Sequence, residues 1–199
     1  MPPFLNKLFA APHAWARFMV RLKALYAEMD RGYHIISNQY GFQCTGCVDN
    51  CCYSRFYHHT FAELLYLRES FSDLSQTKQD RIKAAAHRAC GDMAQADKTC
   101  APIRILCPLN VNERCILYAH RPMICRLHGI PHQVRNPRQD LIVGPGCDAF
   151  TDHCGGIEHI RLDRTPLYME MSRLEKELRQ EIQMADKIKI TVARMITLF

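Results

Sequence analysis

Four thiols fall inside nine residues at Cys44, Cys47, Cys51 and Cys52, in the stretch CTGCVDNCC. Cysteines that serve only as small buried hydrophobes have no reason to cluster, so this density points to metal or redox chemistry. On a helix, at about 100° per residue, Cys44, Cys47 and Cys51 share one face and Cys52 swings about a quarter turn away. The adjacent Cys51 and Cys52 need not serve the same site. Gly46, Asp49 and Asn50 favour turns, so a knuckle wrapped around a metal is the other geometry. Either one gathers at least three sulfurs.

Four more cysteines sit where local structure can present them. Residues 103–118 (IRILCPLNVNERCILY) hold two β-prone runs around a polar NVNER, which predicts a short hairpin with Cys107 and Cys115 near its ends. In AHRPMICRLHGIPH, Pro122 at a helix first turn projects Cys125 from a short helix that Gly129 and Pro131 end. GPGC places Cys147 in a tight, glycine-permitted turn. The set Cys44, Cys47, Cys51, Cys52, Cys107, Cys115, Cys125 and Cys147 suits two four-sulfur sites, or one cluster with spare thiols. Structural zinc favours paired short spacings and this chain has one CxxC, whereas Cys107-Pro108 resembles the Cys-Pro that closes ferredoxin runs. Zinc and iron, including a 4Fe–4S cluster, therefore both stay open. Cys90 is read as a buried small residue, His58 and His59 as able to approach the metal but more simply as polar surface, and Asp148–Gly156 as a loop offering His153 and Cys154 as extra ligands.

The elements that must carry these residues are mostly helical. Trp15, Phe18, Leu22, Leu25, Met29, Tyr33 and Ile36 recur at steps of three and four, one face of a long helix. Thr60 with Glu63 matches a capping box and starts a helix to about Phe71. An alanine-rich run from Lys78 to Ala96 predicts the next one. Leu141–Val143 reads as a strand. From Thr165, Leu167, Met171, Leu174, Leu178, Ile182, Ala185 and Ile188 form a helical stripe, either core or the seam of a homodimer. Thr191 can cap a last helix reaching Phe199, with a strand through IKITV as the alternative. The expected fold is mainly α with a small irregular β hairpin. It is read as one domain over 1–199: a cysteine-cluster metal-binding core at 40–150, flanked by an N-terminal helix at 12–37 and C-terminal helices at 165–199.

At 199 residues and 48% hydrophobic the chain can bury one core. Its eleven cysteines are an odd number, and Lys7 interrupts the only apolar run of the opening segment, which argues against a secretory signal. The expectation is a cytoplasmic protein with reduced thiols and no membrane partner. The net charge is +6, and Arg114, Arg121, Arg126, Arg135 and Arg138 fall in a stretch without an acid. A tetrathiolate zinc or 4Fe–4S site carries about two negative charges, which Arg121 and Arg126 can offset. Nucleic acid is the other explanation for the basic stretch.

Taken together, CTGCVDNCC, CPL at 107–109, CILYAHRPMICR at 115–126 and GPGC at 144–147 resemble the YkgJ-type cysteine-cluster proteins, a zinc- or iron-chelating family. The resemblance covers residues 40–150, and its eight characteristic cysteines map onto the eight named above. It implies metal binding and supplies no reaction. The functions that follow are a metal-binding protein, a metal- or cluster-dependent redox or methylase-like transfer enzyme using His128, His132 or His153, and a nucleic-acid-binding module. No GxSxG, HExxH, Rossmann or P-loop pattern defines a substrate.

Overall fold

The computed structural model describes residues 3–10, 12–44, 51–100, 104–155 and 160–199. Two helices open the chain: α1 (Pro3–Ala10), which the sequence reading missed, and α2 (Pro12–Gln39). On α2 the expected stripe is buried at Trp15, Phe18, Leu22, Leu25, Met29 and Ile36. Helices α3 (Phe61–Ser72) and α4 (Gln76–Thr99) follow, and Cys100 ends α4 in the left-handed conformation. Further on come α5 (Met123–Leu127), α6 (Asp148–Cys154), α7 (Thr165–Glu181) and α8 (Val192–Ile196). The body is built by α7 packing on both α2 and α3, and by α8 on α4. Its buried side chains form one apolar cluster from Leu5 to Ile196. Among the described residues no helix is long and apolar enough to cross a membrane.

Two small sheets complete the fold. Strands β1 (Asn110–Val111) and β2 (Arg114–Cys115) make an antiparallel hairpin, with Asn112 and Glu113 both at positive φ in its two-residue turn. The hairpin thus pairs inside the polar segment rather than through the apolar runs on either side. Strand β3 (His132–Arg135) lies between an antiparallel β4 (Leu141–Gly144) and a parallel β5 (Leu162–Asp163). Of these three only β4 was expected.

Three other expectations change. Residues 148–154 are helical, with Cys147 as the cap of α6, rather than loop. Helix α7 stops at Glu181, so Ile182, Ala185 and Ile188 do not continue its stripe, while Met171, Leu174 and Leu178 are buried within the chain. Thr191 does cap α8, accepting a hydrogen bond from the Arg194 N–H at 3.2 Å, and the helix ends at Ile196.

The start of α3 shows how tertiary contacts complete a local signal. Thr60 Oγ1 accepts from the Glu63 N–H at 3.2 Å, as a capping box requires. Glu63 does not return the favour to the Thr60 backbone; its carboxylate instead accepts from the Thr60 hydroxyl at 2.7 Å and the Met123 N–H at 2.8 Å. The free N–H groups of Phe61 and Ala62 go to Glu175, from α7, at 3.0 and 3.2 Å.

Burial pushes the Glu175 carboxyl up to about 7, against the pull of those two N–H groups. A raised native value means that the group's stabilising contribution is fully present below its unfolded pKa, about 4.3, and is lost as pH rises through about 7. Glu175→Gln cannot ionise. In thermal melts its Tm should therefore move upward relative to wild type between pH 4.5 and pH 8, and a gap independent of pH would refute the assignment.

Candidate metal centre

Local backbone geometry presents each thiol. Cys51 and Cys52 lie in a single 3-10 turn, Cys51–Tyr53. The Cys107 N–H donates to the Cys52 carbonyl at 2.8 Å, which fixes the hairpin segment against that turn. Cys125 projects from α5, which is held at both ends: Glu63 accepts from Met123 N–H, and the Arg164 guanidinium donates to the Leu127 carbonyl. Pro122 caps this helix rather than sitting in its first turn. Cys147 is tied by its N–H to the Gly129 carbonyl at 3.1 Å. Gly129 has φ +112°, and a Cβ there would stand 3.0 Å from the Tyr33 hydroxyl, so only glycine serves. In GPGC a Cβ on Gly146 would meet the Phe150 ring at 2.4 Å, so the turn is sterically closed to a side chain.

These segments converge on one cavity of about 1180 Å³. Cys44, Cys51, Cys52, Cys107, Cys115, Cys125 and Cys147 all line it, seven of the eight thiols singled out from the sequence. The eighth, Cys47, lies outside the described residues, as do Gly46, Asp49 and Asn50. Cys90 and Cys100 on α4, and Cys154 at the end of α6, do not contribute to this wall. His128 and His153 do, whereas His132 packs its ring beneath Gly144.

The thiols influence one another in two groups. Burial pushes Cys125 well up and Cys107 up to about 12, and it raises Cys115 as well. Cys52 adds to all three shifts, and Cys107 and Cys115 add to that of Cys125. The second group surrounds Tyr33, whose hydroxyl is raised by burial and then by Cys44 and Cys147. Cys51 links the groups: it is raised by its hydrogen bond to Cys52, then by burial, and Cys125 and Cys44 add to the effect. The same hydrogen bond pulls Cys52 down to about 6.

The chemistry of this donor set fits a bound cation or cluster. Buried thiols with raised pKa values are costly to ionise alone, and a coordinated cation reverses that by deprotonating them. Backbone N–H groups already point at sulfur, from Leu109 and Asn110 to Cys107 and from Leu117 to Cys115. Such N–H···S contacts support metal thiolates and tune iron–sulfur clusters. Among the described residues, Arg55, Arg104, Arg114, Arg121 and Arg126 also line the cavity, against Glu113 and Asp148, with Arg55 already paired to Asp97. That excess suits an anionic thiolate centre. Among the described residues no three His, Cys, Asp or Glu side chains meet at a single point as they stand, so the thiols surround the cavity without yet closing on its centre.

The two arginines proposed as supports differ. Arg121 lies near Cys115 and lowers its pKa, and its guanidinium stacks 3.6 Å from the Tyr118 ring centroid. Arg126 is 3% exposed and donates to Asp30 Oδ2 at 2.6 Å, to the Arg121 carbonyl at 2.8 Å and to the Ala119 carbonyl. Its hydrogen bonds go to oxygen rather than sulfur.

Of the two readings the sequence offers for His58, polar surface is the one the structure corrects. His59 is exposed as expected, but His58 is 2% exposed and lines the cavity. Its backbone is clamped by an antiparallel bridge to Ile190, with bonds of 2.8 and 3.0 Å. The neighbouring His58 and His59 look alike in the sequence, and only the fold separates the buried one from the exposed one.

No protein-family model, curated protein or solved structure matches the chain.

Proposed function

We propose that the chain is a metal-binding protein whose eight cysteines, 44, 47, 51, 52, 107, 115, 125 and 147, hold zinc or an iron–sulfur centre, with the cytoplasm as its compartment. The observation that carries this reading is the gathering of seven of those thiols, drawn from residues 44 to 147, on the wall of one cavity. The resemblance of the same cysteine pattern to the YkgJ-type family points the same way. When bound, the metal supplies fixed positive charge and, in an iron–sulfur form, a one-electron couple. The chain's own part is to supply thiolates, N–H donors to sulfur and guanidinium charge.

A cavity of about 1180 Å³ exceeds the roughly 300–1,000 Å³ of an ordinary ligand pocket. Room beyond the metal, with His128 and His153 on the wall, favours a metal-dependent enzyme as the second reading. A nucleic-acid surface through residues 114–138 is less well supported, since Arg126 is buried against Asp30 and unavailable to phosphate.

Anaerobic purification followed by metal and acid-labile sulfide analysis tests the proposal. Stoichiometric zinc without colour selects the zinc form; brown protein with labile sulfide selects the cluster. Serine substitution at any of the eight cysteines should lower the metal content, while Cys90→Ser and Cys100→Ser should leave it unchanged. Protein free of both metals, or equal losses at all ten positions, would overturn it.

A further inference from the structure

The His58 imidazole is buried at 2% exposure, yet among the described residues its Nε2 has no hydrogen-bond partner. A buried polar nitrogen left unpaired is destabilising, which calls for an explanation. The other ring nitrogen faces a carboxylate: Nδ1 lies 3.9 Å from Glu63 Oε1, an ion-pair distance rather than a direct hydrogen bond. Glu63 is itself 3% exposed and held by the Thr60 hydroxyl and the Met123 N–H, so it cannot turn away. A carboxylate on that side favours the tautomer with its proton on Nδ1, which leaves a lone pair on Nε2. Metal-ligating histidines have this arrangement almost always: one nitrogen on the metal, the other oriented by a carboxylate or carbonyl. His58 lines the same cavity as the seven thiols, and Glu63 joins it to the Cys125 helix through Met123.

We propose that His58 is a nitrogen ligand of the metal centre through Nε2, oriented by Glu63. The inference rests on the metal-binding reading above and narrows it to a mixed sulfur and nitrogen site, as in three-cysteine, one-histidine zinc centres or histidine-ligated iron–sulfur clusters. The bridge to Ile190 then has a purpose: it fixes the backbone from which the imidazole reaches into the cavity. Met123, two residues before Cys125, hangs from the same carboxylate, so one buried acid orients a nitrogen donor and the helix carrying a sulfur donor.

Cobalt(II) added to the metal-free, reduced protein is the probe, read by thiolate-to-cobalt absorption and by pulsed EPR on protein labelled with 15N-histidine. Wild type should show the charge-transfer bands together with a nitrogen coupling that changes on labelling. His58→Gln should lose the coupling, keep the bands and bind cobalt at least about tenfold more weakly; Glu63→Gln should keep the coupling while affinity falls about 10–100-fold. The double variant H128Q/H153Q should retain the coupling, and this arm does not depend on His58→Gln folding. Thiolate bands without histidine coupling, coupling that survives in His58→Gln, or coupling lost in H128Q/H153Q would each overturn the ligand assignment while leaving metal binding intact. The absence of thiolate bands from wild type would instead overturn the metal reading, and the ligand with it.

Discussion

Stripping the metal anaerobically with a strong chelator is expected to lower Tm by about 10 °C or more and to open only part of the molecule. A structural tetrathiolate site contributes roughly 10–16 kcal/mol of apparent binding energy, against a whole-domain stability of about 5–15 kcal/mol. Each kcal/mol moves Tm by about 2–4 °C at this size, so even a loss of about 5 kcal/mol gives roughly 10–20 °C. The segments from Cys51 to Phe56 and from Cys107 to His128 have few regular backbone bonds; among the described residues one backbone bond, Cys107 N–H to Cys52 carbonyl, joins them, with the Phe56 and His128 rings 5.3 Å apart. Helices α2, α3 and α7 instead bury Leu22, Met29, Leu64, Leu65, Leu174 and Leu178 completely. Hydrogen exchange should therefore accelerate in the two cysteine segments while the three helices keep their protection. An unchanged Tm, or a uniform loss of protection, would show that the thiols do not organise that half of the fold.

The helical body could be read from the chain because its signals are local and periodic. The α2 stripe needs only a recurrence at three and four residues, and Thr60 announces α3 through a bond to a residue three positions on. Elements held by distant partners left no such trace. Strand β3 is sandwiched between β4 and β5, and its residues, HQVR, carry no alternation that marks a strand. Helix α6 is seven residues long and is fixed by Phe150, which packs edge-on against Tyr40 and Phe42 at ring separations of 4.9 and 5.1 Å. The stripe after Thr165 overran its helix for the opposite reason: Ile182, Ala185 and Ile188 keep the period although the chain turns at Ile182 and Gln183 adopts positive φ.

Cysteine spacing singled out thiols that line one cavity, whereas the histidine pair at 58 and 59 read as polar surface. Thiols in turns and caps announce themselves by neighbours such as Pro108, Pro122 and Gly146, which restrict the backbone. His58 carries no such neighbour. Its backbone is held by Ile190, more than a hundred residues away, and the carboxylate that faces it is fixed by the Thr60 hydroxyl and the Met123 N–H.

Arg126→Met is expected to cost about 3–5 kcal/mol, the usual penalty for breaking a buried ion pair from one side, and so to lower Tm by roughly 6–20 °C. The guanidinium joins two parts of the chain: α2, through Asp30 and the Tyr26 ring, whose centroid lies 4.1 Å from it, and the segment ahead of α5, through the Ala119 and Arg121 carbonyls. Methionine fills much of the volume but leaves two carbonyls without their donor and Asp30 with the longer ion pair to Arg121, at 3.7 Å. Asp30 is 35% exposed and can recruit water, which places the loss toward the lower end of the range. Arg126→Lys keeps the charge without the planar fork and should fall between wild type and Met. Because these donors all go to oxygen, folded Arg126→Met should still bind its full complement of cobalt. Arg121 is the contrasting case, since its charge acts on Cys115. Arg121→Met loses a long ion pair, 3.7 Å to the 35%-exposed Asp30, and should change stability little, by about 1 kcal/mol or less, yet weaken cobalt binding measurably. If folded Arg126→Met lost cobalt and Arg121→Met did not, the roles of the two would be exchanged. Two arginines five residues apart would then still divide the work between holding the helix and offsetting the sulfur charge, with the buried one facing the metal.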